Sequence, residues 1–265
     1  MASMEQLLGR EPALIGVTHV LPLPGSPGWG GDMGPVVERA VADAAAYERA
    51  GFDALIIENY CDIPFARDFA GRGAVAGLAS VAARIADRVD LPLGINVLRN
   101  DALSAVAVAA TVGARFIRVN VHTGAAVTDQ GIIQSEARAT LRSIRECAPE
   151  LAVFADVFVK HAAPLGNTTL EREALDAVQR GGAAALIVTG EGTGAPASLD
   201  DAKRVRAVLP ETPVLVGSGA TIETIPGILR VASGIIIGSA AMVGGEAAHP
   251  VDPERVAAIV RAAGR

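Results

Sequence analysis

The 265-residue sequence has only two cysteines, Cys61 and Cys147, no cluster of Lys or Arg, no low-complexity tail and no long apolar run. Two cysteines cannot make a disulfide framework, and neither a CxxC pair nor a Cys/His spacing suited to structural zinc is present. That pattern fits a reducing compartment, and we expect a cytoplasmic protein. Against 29 Asp+Glu stand 23 Lys+Arg, a formal net charge of -6. Binding to a nucleic-acid backbone needs concentrated positive charge, so a general nucleic-acid surface is not expected. Any phosphate bound here should belong to a small molecule. The amino terminus, MASMEQLLGREP, lacks the basic-then-apolar layout of a signal peptide. The apolar stretch around Ala105 to Ala114 is too short and interrupted to span a bilayer.

What is present is an even supply of apolar residues, 51% of the chain, arranged in a repeating order. A short apolar run is followed by a turn, then by a longer segment of helical period. This alternation denotes βα units and a mainly parallel sheet. Strands are expected near Leu14 to His19, Ala54 to Glu58, Leu93 to Leu98, Arg115 to Val121, Ala152 to Val159, Ala184 to Thr189, Pro213 to Gly217 and Gly234 to Gly238. Helices are expected near Pro35 to Ala50, Gly73 to Val89, Asp101 to Val112, Gln134 to Cys147, Leu170 to Arg180, Leu199 to Leu209, Ile222 to Val231 and Pro253 to Ala263. Odd-numbered strands follow a proline (Pro12, Pro92, Pro149, Pro213), which ends a helix and favours extended chain. Even-numbered strands follow a glycine (Gly51, Gly113, Gly182, Gly234), the residue suited to a left-handed helix end. A βαβα unit used four times predicts one (β/α)8 TIM barrel over residues 1–265, of the phosphate-binding type. An open doubly wound sheet is disfavoured because no GxGxxG follows the first strand.

A barrel works at the carboxyl ends of its strands. Polar residues gather there: His19 on the first strand, Glu58 and Asn59 on the second, Asn96, Arg99, Asn100 and Asp101 on the third. Arg118 and Asn120 share a face of the fourth, followed by His122 and Thr123; Asp156 and Lys160 share a face of the fifth if it stays regular, with His161 on the other. Glu58, Asp156 and His19 are candidates for proton transfer, and Lys160 for a Schiff base or for stabilising an anion. The plainer reading of Asp156 is a buried pair with Arg118 that holds the barrel interior, and that of Glu58 a solvated loop-start carboxylate. Asn96, Arg118, Asn120, Asp129, Thr189 and Gly190 are candidates for binding the rest of a substrate. Gly217, Ser218 and Gly219 after the seventh strand, with Gly238 and Ser239 after the eighth, match the two loops that hold phosphate in such barrels. Those glycines also suit plain strand-to-helix turns. Trp29 covers either a ligand or its own loop, and Asp129 and Gln130 either close over the site or start a helix. His249 reads as inert. His19, Glu58, Asp156 and His161 could hold a divalent metal, but no close ligand spacing supports one, so no cofactor is predicted. The Ala- and Val-rich helix near Ala102 to Val112 suits either a homo-oligomer interface or ordinary packing on the barrel.

The segments GVTHVLPLPGSP (16–27), DALIIENYCDIPF (53–65), LGINVLRND (93–101), RFIRVNVHTGAAVTDQGII (115–133), ADVFVKHAAPL (155–165) and IVTGEGTG (187–194), with VGSGAT (216–221) and IIIGSA (235–240), resemble the BtpA/SgcQ family over nearly the whole chain. The resemblance implies a TIM barrel and two directions of function. The family takes one name from a cyanobacterial factor for photosystem I accumulation, while a bacterial relative is encoded among genes for sugar uptake and sugar phosphates. No family mechanism transfers residue by residue, so the candidate site is the one chosen from the strand ends. The expected function is an enzyme acting on a phosphorylated sugar or a ribosyl or nucleotide-like compound, by isomerisation, aldol-type cleavage or glycosidic cleavage. The alternatives are a non-catalytic assembly factor that uses the barrel as scaffold, and a sensor that binds a phosphosugar without turnover.

Overall fold

A computed structural model describes residues 2–189 and 199–265. Eight parallel strands close into a barrel in sequence order: β1 (Ala13–His19), β2 (Ala54–Glu58), β3 (Leu93–Asn96), β4 (Phe116–Val119), β7 (Ala152–Val157), β9 (Ala185–Val188), β10 (Val214–Val216) and β11 (Gly234–Ile237), with β11 pairing back to β1. Helices α2 (Met33–Ala50), α3 (Arg72–Ala86), α4 (Ala102–Val112), α5 (Ala137–Cys147), α6 (Leu170–Gln179), α7 (Leu199–Val208), α8 (Ile225–Leu229) and α9 (Pro253–Ala262) follow the strands in turn. The expected (β/α)8 barrel is therefore the observed one.

Period-two alternation divides each strand between two apolar regions. Leu55 and Ile57 face the helices in the large outer cluster, whereas Ala54 and Ile56 join Ala13, Ile15, Val17, Phe116, Phe154, Ile187, Leu215 and Ile236 inside the barrel. The inner face of the same strands turns polar at the carboxyl end, where His19, Glu58, Asn96, Arg118 and Asp156 stand. The barrel is thus filled below and open above. Phe116 and Phe154 stack across the interior at 4.2 Å, and Gly94 makes room for the ring: a Cβ there would lie 2.3 Å from Phe116.

Four local features depart from the expected layout. Helix α1 (Met4–Leu8), capped by Ser3, sends Met4 and Leu8 into the barrel's inner cluster and closes its amino-terminal floor. Its single turn is too short to show periodicity. The loop after β4 is a hairpin, β5 (Ala125–Thr128) and β6 (Gly131–Gln134), which pairs with β8 (Ala162–Pro164) from the next loop as a three-stranded antiparallel sheet. Helix α5 therefore begins at Ala137, because Gln134 is spent on β6. Gly51, Gly113 and Gly182 take the expected left-handed conformation, but Gly234 does not: it lies in β11 opposite Ala13, where a Cβ would meet the Ala13 carbonyl oxygen at 2.7 Å.

Candidate functional site

Strand register gathers the first members of the site. His19 is the Cα partner of Glu58 across β1 and β2, and Glu58 is the partner of Asn96 across β2 and β3, so three adjacent strand ends present one row of polar side chains. Asn96 Nδ2 donates to Glu58 Oε2 at 2.6 Å. Arg118 Nη1 stands 3.8 Å from the same oxygen. Glu58 Oε1 accepts no hydrogen bond from the described residues and remains for a ligand. His19 Nδ1 lies 2.7 Å from the Ala247 carbonyl oxygen. A carbonyl only accepts, so Nδ1 carries the proton and Nε2 presents a lone pair. Burial pulls the His19 pKa down despite the raising field of Glu58, and the ring, stacked on Tyr60 at 4.5 Å, is held as a neutral base.

Asp156 takes the plainer of its two expected roles. Its carboxylate is fully buried and accepts from Arg118 Nε and Nη2, both at 3.0 Å, and from Asn120 Nδ2 at 2.8 Å. A fork-to-fork pair of this kind spends both carboxylate oxygens. Asp156 does not line the mouth; it aims Arg118, which does. Asn120 Oδ1 is buried and unpartnered.

Lys160 reaches the mouth by a different route from the one period two suggests. β7 ends at Val157, and Phe158 and His161 adopt positive φ values of 49° and 57°. Non-glycine residues in that region are strained, a cost that surrounding contacts must over-determine. Here they do. Lys160 N donates to Thr189 Oγ1 at 3.0 Å, Lys160 O accepts from Arg99 Nη2 at 2.9 Å, and Phe158 N donates to Glu173 Oε1 at 3.1 Å. The turn brings His161 to the mouth as well, instead of sending it to the opposite face. Lys160 Nζ has no hydrogen bond or ion pair among the described residues. Burial first, and the Arg118 guanidinium second, hold its pKa below the ordinary lysine value.

The mouth has two halves that share Glu58, Tyr60, Arg118 and Lys160. One, a cavity of about 360 Å³, is lined by His19 and by all five residues of the expected phosphate loops, Gly217, Ser218, Gly219, Gly238 and Ser239. The amides of Gly219 and Ala220 find no acceptor among the described residues. Arg255 at the start of α9 also lines this half; its Nε is spent on Ala240 O at 2.8 Å, and no carboxylate of the described residues lies within ion-pair distance of its guanidinium. Sequence reasoning missed Arg255 because it lies on a helix, two residues past Pro253, and not at a strand end. The other half, about 570 Å³, is lined by Asn96, Arg99, Asn120, Asp129, Gln130 and His161 beside Phe65 and Ile63. Asp129 and Gln130 come to it as the tip of the β5–β6 hairpin.

Some expected residues stand elsewhere. Thr189 supports the Lys160 backbone and lines neither half, and Gly190 lies outside the described residues. Trp29 packs half-buried against the outer core. His122 Nε2 donates to Gly181 O at 2.8 Å behind the barrel wall, and His249 is exposed. Among the described residues no group of three or more His, Cys, Asp or Glu is placed to hold a metal ion.

The sequence model of the BtpA family matches residues 10–265. The chain belongs to the BtpA family. It is 43% identical over 249 residues to the photosystem I biogenesis protein BtpA of Synechocystis, covering 94% of this chain and 87% of that one. An uncharacterized protein of Pyrococcus horikoshii is 44% identical over 249 residues, 94% of each chain. Among solved structures, the barrel resembles phosphoribosyl anthranilate isomerase from Thermus thermophilus (TM-score 0.59, 12% identity, covering 95% of this chain and 98% of that chain). It likewise resembles KGPDC from Streptococcus mutans (TM-score 0.59, 13% identity, covering 97% and 99%). At such identities the likeness is one of fold. Among the described residues no helix is long and apolar enough to cross a membrane.

Proposed function

We propose that this BtpA-family barrel is an enzyme acting on the carbonyl group of a phosphorylated sugar or ribosyl compound, with Lys160 as its nucleophile. The observation that carries this reading is an amine in the middle of the mouth, lining both of its halves, with no carboxylate partner among the described residues and a depressed pKa. A lysine held this way is more often the neutral amine that carbonyl addition requires. Its Nζ would add to the carbonyl carbon and water would leave, giving a Schiff base. Glu58 Oε1 and the His19 Nε2 lone pair are positioned to move the protons of that step and of a following isomerisation or aldol cleavage. Arg118 and the unpartnered Asn120 Oδ1 would hold oxygen functions on the chain. Phosphate would sit at the amides of Gly219 and Ala220, which find no acceptor among the described residues, beside Ser239 and Arg255, and its binding energy would position the reacting carbon. Glycosidic cleavage fits less well, because it needs two carboxyl groups at the bond and Asp156 is committed to Arg118. A phosphorylated substrate also agrees with the cytoplasmic placement expected from the two free cysteines.

The test is borohydride reduction in the presence of a panel of sugar phosphates, read by intact-protein and peptide mass spectrometry. A ligand-derived mass on the Lys160 peptide, absent in Lys160→Ala, supports the reading. Trapping that persists in Lys160→Ala overturns the nucleophile, and phosphate affinity unchanged in Arg255→Gln overturns the anchor. The name of the Synechocystis relative favours a second reading, an assembly role. That reading requires Glu58→Gln and Lys160→Ala to complement a deletion strain fully, whereas the enzyme reading requires them to fail.

A further inference from the structure

The half of the mouth away from the phosphate loops contains a cation that forms no ion pair among the described residues, where Asp156, Asp129 and Glu58 act on it only at longer range. Arg99, at the carboxyl end of β3, is 6% exposed, and among the described residues its only side-chain bond is from Nη2 to the Lys160 carbonyl oxygen at 2.9 Å. No carboxylate of the described residues lies within ion-pair distance. Of the two acids lining the same half, Glu58 accepts from Asn96, and Asp129 is exposed at the hairpin tip and accepts from Gln130. A buried guanidinium with most of its donors unspent is costly unless something anionic meets it. Backbone support for Lys160 uses one N–H and leaves the others, on a planar fork matched to carboxylate or phosphate oxygens, at the cavity lined by Asn96, Asn120 and His161.

We infer that the substrate carries a second anionic group, and that Arg99 reads it at the end opposite the phosphate loops. The inference rests on phosphate anchoring at Gly219, Ala220 and Arg255, and it narrows the substrate class from sugar phosphates to those bearing an oxyanion at both ends. Carboxylate and phosphate share the chemistry that Arg99 recognises.

Three six-carbon probes that differ only at C1 separate the cases: glucitol 6-phosphate, 6-phosphogluconate and glucitol 1,6-bisphosphate. Titration calorimetry on the full chain should show one of the two doubly anionic probes binding at least about tenfold more tightly than glucitol 6-phosphate, the size expected of a charge-assisted hydrogen bond. In Arg99→Gln that preference, taken as a ratio to glucitol 6-phosphate binding by the same variant, should fall below about threefold, and Arg99→Lys, which keeps the charge without the fork, should fall between. Which doubly anionic probe gains identifies the second group. Equal binding of all three probes to wild type overturns the role of Arg99, as does a preference that survives in Arg99→Gln. Either result leaves the phosphate site standing if inorganic phosphate still displaces glucitol 6-phosphate. Failure of wild type to bind any of the three overturns both readings together. Should Arg99→Gln fail to fold, Arg99→Lys decides alone: an undiminished preference there refutes recognition by the fork.

Discussion

Replacing Asp156 by leucine should be among the most damaging single changes in the barrel interior, and the structure says by how much. The substitution removes both acceptors of the Arg118 fork and the acceptor of Asn120 Nδ2. Arg118 is 6% exposed, so water does not replace them. Breaking a buried ion pair from one side costs about 3–5 kcal/mol, because the remaining charge stays desolvated. Glu58 Oε2, 3.8 Å from Arg118 Nη1, offsets part of this, and the orphaned Asn120 amide adds to it. For a chain of this length each kcal/mol moves the midpoint by roughly 2 °C, so Tm should fall by about 6–10 °C in calorimetry, with a matching shift in urea unfolding. The double variant Arg118→Met, Asp156→Leu should recover to within about 1 kcal/mol of wild type, since an apolar pair of similar volume avoids desolvation altogether. A folded double variant without turnover would fit Arg118's place in both halves of the mouth. Asp156→Leu within about 1 kcal/mol of wild type, or a double variant as unstable as the sum of the singles, would refute the positioning role.

Lys160→Met should stabilise the protein by about 1 kcal/mol at neutral pH while abolishing turnover, because a functional lysine is held at a cost to the fold. Since its folded pKa is depressed, that gain is full below the folded value and fades as pH rises toward 10.5, which thermal melts across pH would show. Stability should fall as pH drops below 6.5, where unfolded chain takes up protons that buried His19 and His122 resist, by at most about 1.4 kcal/mol per pH unit for each histidine. In His19→Gln the slope should flatten by the His19 share; an unchanged slope would show that His19 is protonated as readily folded as unfolded. Gly217→Ala places a Cβ 2.5 Å from Ile187 Cγ2 and 3.0 Å from Thr189 Cγ2, which should cost about 1–3 kcal/mol and weaken any trapping at Lys160 through the displaced Thr189; a neutral variant in both assays would contradict that packing.

Much of the barrel was legible in the chain, because its units are local. Each strand such as Ala54–Glu58 is bounded by its own turn residues, and each helix shows its apolar face in its own period. The strand-end rule likewise selected Glu58, His19, Asn96 and Arg118, since period two alone puts them above the apolar filling. The antiparallel sheet was not legible: β5, β6 and β8 have three or four residues each, and β8 pairs with β5 from 34 or more positions away, so no local window contains the pair. Lys160 illustrates the division most clearly. Its place after the fifth barrel strand could be read from sequence, but whether it was paired depended on Asp156 of the same strand and on polar groups from three others. Asp156 turned to Arg118 and not to Lys160, one oxygen of Glu58 was taken by Asn96, and the strained turn from Phe158 to His161 aimed the amine into the space left between them. Short-range periodicity in the sequence determines which strand-end groups, such as His19, Glu58, Asn96 and Arg118, stand at the mouth. Only closure of the barrel decides which of them neutralise one another and which are left for a ligand, because that depends on distances across strands far apart in the chain.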